Sequence, residues 1–215
     1  LKGKSFEDLC EDLLSGAVRP FGDTLERTTD KPGLIKGSKK GDFVIALSSR
    51  PDLRMVIETK YTGYQSYNTI ESTMEEALEN REAAYGIFLV RHVETLSKSI
   101  GWFNEYKNKF LVAALGSKEF EEELHQEMLE VAYRWARTRV LLREATIAEG
   151  VDATAIQRQL EAAETALSRF SRIRTQCTNA KKAIQAIRDE AAGIQEELSK
   201  ILSRISSEIT SALGE

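Results

Sequence analysis

Gly41-Asp42-Phe43-Val44-Ile45-Ala46-Leu47 and, after a polar break, Arg54-Met55-Val56-Ile57-Glu58-Thr59-Lys60 decide how this chain folds. Both runs are rich in branched apolar residues, which suit a pleated, half-buried backbone. Between them Ser48-Ser49-Arg50-Pro51-Asp52 carries the polar and proline chemistry of a turn, so the runs are expected to pair as an antiparallel hairpin. A ladder centred near Arg50 sets Asp42 directly across from Glu58, with Cβ atoms about 5 Å apart. Like charges repel at that spacing, so stability alone gives no reason for the pair. Lys60 falls on the same face as Glu58, one step beyond it, because side chains alternate along a strand. Two carboxylates beside an ammonium suit a hard divalent cation such as Mg²⁺. The ion offsets their repulsion and keeps water or phosphate oxygens as its other ligands.

This constellation resembles the PD-(D/E)xK nuclease superfamily, in which an acid at the start of one strand is followed by Glu-x-Lys on the next. Here the motif is Asp42 with Glu58-Thr59-Lys60. Upstream, Gly3-Lys4-Ser5-Phe6-Glu7 is similar to the first-helix signature Gly-x-x-Phe-Glu of the Mrr-like restriction endonuclease branch. No proline precedes Asp42, and Glu58 stands where that branch frequently has glutamine. The resemblance ends near Gly116 and implies a restriction-endonuclease-like α/β fold, a mixed sheet flanked by helices. It further implies a Mg²⁺-dependent deoxyribonuclease, with Mn²⁺ able to substitute, acting in bacterial defence or DNA processing. Asp42, Glu58 and the Thr59 carbonyl would hold the metal. Asp42, Glu58, Lys60 and the accessory acid Glu7 would form the catalytic set. RNA stays open as a substrate of the same chemistry. The rival reading is a catalytically silent nuclease-like head on a coiled-coil scaffold that binds DNA or protein partners. A silent head has no reason to keep a repelling pair of acids.

At 215 residues and 41% hydrophobic content the chain can bury a core and has room for two units. A net charge of -4 and a pI near 5.5 exclude nucleic-acid binding by bulk charge, so any such contact is local. The best candidate is the glycine-rich stretch from Lys31 to Lys40, where Lys36, Lys39 and Lys40 could meet a phosphodiester chain. A plain solvated loop would have the same composition. Tyr61 and Tyr64, directly beyond Lys60, could stack on bases or simply serve turn and packing chemistry. Only Cys10 and Cys177 occur, in separate units, which excludes a disulfide framework and suits a reducing cytoplasm. No apolar stretch reaches about 18 residues, so no membrane span is expected. A chain that begins at Leu1 without methionine reads as a piece of something longer.

The remaining pattern orders the elements. Ser5 caps an amphipathic helix that Gly16 should stop, a weak strand follows over Thr24 to Asp30, and Ser66 to Arg81 reads as a second helix after the hairpin. Tyr85 to Val90 reads as a strand parallel to the Glu58 strand, because a helical crossover separates them. The spacing of Ile100, Trp102, Phe103 and Tyr106 predicts a helix within Thr95 to Asn108, and Phe110 to Leu115 a last strand. Residues 1–116 form the nuclease-like domain on this reading and residues 117–215 a helical hairpin or coiled coil. Leu124, Met128, Val131, Trp135, Thr138, Leu142 and Ala145 alternate steps of four and three before a break at Gly150 and Asp152. A longer run continues from Ile156 to Ile205. Its seam predicts an oligomer, a dimer, or pairing with another protein or with missing parts of the same chain.

Overall fold

The computed structural model describes residues 5–118, 125–145 and 153–213. Gly3 and Lys4 of the first-helix signature, Leu124 of the heptad run and the break at Gly150 and Asp152 lie outside them. Helix α1 (Phe6–Val18) starts where the sequence places its cap. The Ser5 hydroxyl accepts the Asp8 N–H at 3.1 Å, and Asp8 Oδ2 accepts the Ser5 N–H at 3.1 Å, so two otherwise unpaired donors are satisfied together. The helix passes through Gly16 and gives way to a single tight turn, Arg19–Phe21, closed by Gly22 at a φ of 68°.

Six strands make one sheet: β1 (Thr24–Arg27), β2 (Phe43–Leu47), β3 (Arg50–Lys60), β4 (Tyr85–His92), β5 (Phe103–Tyr106) and β6 (Phe110–Gly116), in the order β1-β2-β3-β4-β6-β5. Strands β2 and β3 form the expected antiparallel hairpin, with Phe43 opposite Ile57, but β3 already begins at Arg50, so the turn is Ser48-Ser49 alone and the register shifts between Ala46 and Leu47. Helix α2 (Tyr67–Asn80), capped by Ser66, carries the chain back so that β4 runs parallel to β3, and the sheet is mixed. Side chains of β4 reveal the layers. Tyr85 faces α3 (His125–Ala145) through Glu105, which accepts its hydroxyl at 2.6 Å and Arg139 Nε at 2.7 Å. The next residue, Gly86, faces α2, where a Cβ would lie 2.2 Å from Met74 Cε, so the tip of that methionine fills the space a side chain would take. Helices α1 and α3 pack together on one face of the sheet, and α2 covers β3 and β4 on the other.

One expectation is corrected. The helix predicted within Thr95 to Asn108 is a short turn, Val93–Thr95, followed by β5. Lys107 and Asn108 take left-handed φ values of 53° and 52°, the Lys109 N–H donates to the Tyr106 carbonyl at 2.9 Å, and this tight turn between paired Tyr106 and Phe110 folds β5 back onto β6. Strand alternation then accounts for the apolar spacing. Phe103 meets Trp135 of α3 with ring centroids 5.8 Å apart, whereas Tyr106 meets Tyr67 of α2 at 4.8 Å. Helix α3 buries Met128, Leu129, Ala132, Tyr133, Ala136 and Val140, a stripe wider than a heptad seam, while the heptad position Thr138 is exposed. Its docking is fixed by the fully buried Asp23 carboxylate, which accepts from Tyr133 Oη at 2.6 Å, Arg137 Nε at 2.9 Å and the Ser48 N–H at 2.9 Å.

Leu160 of α4 (Ala153–Leu213) joins the same core, and Ile156, Ala163 and Leu167 pack against it. The chain divides into two compact units, Leu1–Phe170 and Ser171–Glu215. In the second, Ile184, Ile187, Ile194, Leu198, Ile201, Leu202 and Ile205 are exposed.

Candidate functional site

Asp42 lies one residue before β2, and extending the observed register by one step sets it opposite Glu58 on β3. Its side chain, however, turns to the neighbour of that glutamate. Asp42 Oδ2 accepts the Thr59 N–H at 2.7 Å and the Thr59 hydroxyl at 2.8 Å. Alternation puts the Thr59 side chain on the opposite side of the strand from those of Glu58 and Lys60. Glu58 is held separately. Its Oε2 accepts the Gly41 N–H at 2.8 Å, and its Oε1 accepts Lys60 Nζ at 2.6 Å with Lys40 Nζ 3.9 Å away.

Both acids are buried, Asp42 at 8% exposure and Glu58 at 2%. Burial pushes the Asp42 carboxyl above its ordinary value and the Glu58 charge adds to the shift, against the two Thr59 hydrogen bonds. The charged form of this carboxyl is disfavoured where it stands. Among the described residues no donor reaches Asp42 Oδ1, so one carboxylate oxygen is left open for an electrophile. No three His, Cys, Asp or Glu side chains gather as a metal cluster among the described residues. An all-oxygen set of two acids and a main-chain carbonyl nevertheless fits Mg²⁺, which is commonly held by one or two carboxylates and keeps several waters.

Glu7, in the first turn of α1, is committed elsewhere. Its Oε2 accepts Arg27 NH2 at 3.0 Å and the Thr29 hydroxyl at 3.3 Å, and Arg27 also binds Asp8 and Glu11 at 2.8 Å each. The Thr29 hydroxyl lies 3.5 Å from the Asp42 carbonyl, so Glu7 is one residue removed from the site. Cys10 of α1 is fully buried, and its thiol is pushed up to about 12 by burial together with the charges of Asp42 and Glu7. A thiol in that state is inert.

The lysine-rich loop is built into the fold. Asn80 and Arg81, at the end of α2, bind its main chain along most of its length. The Asn80 carbonyl takes the Leu34 N–H at 3.0 Å, its side chain takes the Ile35 N–H at 3.0 Å, and its amide donates to the Lys40 carbonyl at 2.9 Å. Arg81 donates to the carbonyls of Lys40 at 3.0 Å, Thr28 at 2.8 Å, Lys31 at 3.0 Å and Lys39 at 3.3 Å. Gly41, which closes the loop, has a φ of 90°, and a Cβ there would stand 2.7 Å from both Arg81 Cγ and Val56 Cγ2. The Gly41 N–H is thereby aimed at Glu58. Lys36 and Lys39 remain exposed, the latter 3.8 Å from the Asp30 carboxylate, and Lys40 leans toward Glu58. Sequence reading missed Asn80 and Arg81, since a polar pair ending a helical pattern looks like an ordinary solvated cap.

Tyr61 and Tyr64 stand on the connection that leaves Lys60, both exposed. A cavity of about 410 Å³ lies on the sheet beside Arg81, lined in part by Glu26, Lys31 and Arg54, and contains none of the Asp42, Glu58 and Lys60 side chains. Among the described residues no helix is long and apolar enough to cross a membrane. Comparison of the chain with protein-family models, with curated proteins and with solved structures yields no match.

Proposed function

We propose that the head is a metal-dependent nuclease that hydrolyses phosphodiester bonds, with DNA as the foremost substrate, of the PD-(D/E)xK kind. The observation that carries this reading is the buried Asp42 and Glu58 pair at the shared end of β2 and β3, with Lys60 against Glu58. Asp42 and Glu58, with the Thr59 carbonyl, would hold Mg²⁺, whose chemistry is to acidify bound water and to offset charge building on phosphorus. Lys60 orients the attacking water and donates to a phosphoryl oxygen as negative charge develops there. The Gly41 N–H fixes the Glu58 carboxylate, and Thr59 fixes that of Asp42, so neither has to reorganise as the reaction proceeds. Water oxygen bonds to phosphorus and gives up a proton to bulk water, the ester bond to the leaving oxygen breaks, and that oxygen takes a proton from bulk water. Lys36, Lys39 and Lys40 meet flanking phosphates.

Incubation with plasmid, linear duplex, single strands and RNA tests the reading, in Mg²⁺ and in EDTA. Cleavage is expected in Mg²⁺ only, reduced by roughly a thousandfold in Lys60→Ala, in line with the loss of a group that stabilises developing charge. Equal cleavage by wild type and Lys60→Ala would remove the assignment. A second reading is favoured by one observation: Lys60 and Lys40 already balance Glu58 without a metal. That arrangement would serve a silent head that binds DNA or protein partners, and it predicts no cleavage and no Mn²⁺ binding. For the second unit we propose self-association, to a dimer, through the exposed apolar positions from Ile184 to Ile205.

A further inference from the structure

We propose that Tyr61 and Tyr64 are a stacking platform for unpaired bases, so that the strand served by this site is single-stranded or frayed and not closed duplex. This rests on the nuclease reading of Asp42, Glu58 and Lys60. Tyr61 is 51% exposed and Tyr64 70%, although the residues bracketing them are held firmly. On one side Lys60 is the last residue of β3. On the other, Gln65 is buried, its N–H donates to the Thr95 carbonyl at 2.7 Å, and its carbonyl accepts the Ser97 N–H at 3.1 Å. Two large rings are therefore displayed in water on a loop pinned at both ends.

The Tyr61 ring is also oriented. Phe6 of α1 stands 6.1 Å from it, ring centre to ring centre, and Arg91 of β4 places its guanidinium carbon 5.4 Å from the ring centroid. An aromatic face backed by a guanidinium is the surface on which a nucleobase stacks. The order of groups matches a bound strand. Lys40 and Lys60 each bring an ammonium within 4 Å of Glu58 Oε1, and Tyr61 follows Lys60 directly in the chain. Cations for phosphate and rings for bases thus leave the same strand end, where β3 stops at Lys60. A closed duplex hides its base faces inside the stack, so only an unpaired nucleotide can use the rings.

The test is fluorescence anisotropy of a labelled oligonucleotide, as a single strand and as a blunt duplex, titrated with the full chain in EDTA. Without a metal the nuclease reading leaves the nucleic acid intact, and every cation and ring that would bind it is present. The comparison of wild-type with Lys60→Ala cleavage then reports on the nuclease assignment separately. The single strand is expected to bind roughly tenfold tighter than the duplex, and Tyr64→Ala to cost single-strand affinity roughly tenfold, the scale of one lost base stack. Tyr61→Ala should act likewise and Tyr61→Trp should restore binding, which a purely structural role would not predict. If Tyr61→Ala lowers the melting temperature, the more exposed Tyr64 decides the matter alone. Equal affinity for both forms, no binding of either, or single-strand affinity unchanged in Tyr64→Ala would overturn the proposal.

Discussion

At Asp42 a carboxylate is kept in a place that disfavours its charge, and that has a measurable consequence. Because burial and Glu58 raise its folded pKa above the ordinary 3.8, the protonated form stabilises the fold. The contribution is complete below 3.8 and is lost as pH rises through the folded value. Asp42→Asn keeps an oxygen for the two Thr59 donors and removes the charge. In metal-free buffer near pH 7 its melting temperature should exceed that of wild type. The advantage should vanish at low pH, and a scan showing Asn no more stable than Asp would argue against the burial effect. Arg81 gives the opposite kind of prediction. It has only carbonyls as hydrogen-bond partners, and lysine cannot reproduce the planar fork that reaches them. Arg81→Lys should fold yet expose the segment from Lys31 to Lys40 to trypsin, cut faster than in wild type. Unchanged digestion would mean that Asn80 alone holds the loop.

The docking of α3 depends on one buried anion among the elements. Burial pushes the Asp23 carboxyl up, but hydrogen bonds from Ser48, Tyr133 and Arg137 outweigh it and leave the pKa below 3.8. Its stabilisation is therefore present above 3.8 and lost as pH falls through the folded value. Asp23→Ala strands Arg137 and should cost about 3–5 kcal/mol in urea unfolding, the range for breaking a buried pair from one side. A loss under 1 kcal/mol would show that the apolar stripe of α3 holds the helix unaided. The elements with one clear period were legible in the sequence. The hairpin, α1, α2, β4 and β6 follow from alternation, continuous apolar runs and caps at Ser5 and Ser66. Strand β5 was not, because Trp102, Phe103 and Tyr106 satisfy helical spacing and also the two faces of a strand. Only the left-handed pair Lys107 and Asn108, residues without a glycine signal, settles it. The register that aligns Asp42 with Glu58 was readable. The turn of the Asp42 side chain toward Thr59 was not, because it depends on a main-chain N–H and a hydroxyl that no pattern in the sequence reports.

For the molecule as a whole, two features carry the proposals of self-association and of metal binding. The first is the run of apolar positions in the second unit, which alternates steps of three and four from Ile184 through Ile187, Ala191, Ile194, Leu198 and Ile201 to Ile205. Light scattering at micromolar concentration should give the mass of a dimer, and Ile194→Glu should lower it to the 24.1 kDa of one chain. A wild-type monomer would refute self-association. The second is the acidic pair beside Lys60, on which the functional account stands. Calorimetric titration of Mn²⁺ into the metal-free chain tests it most directly. Wild type is expected to bind one or two ions with a heat that Asp42→Asn and Glu58→Gln each abolish, whereas a wild-type titration indistinguishable from dilution would contradict the account.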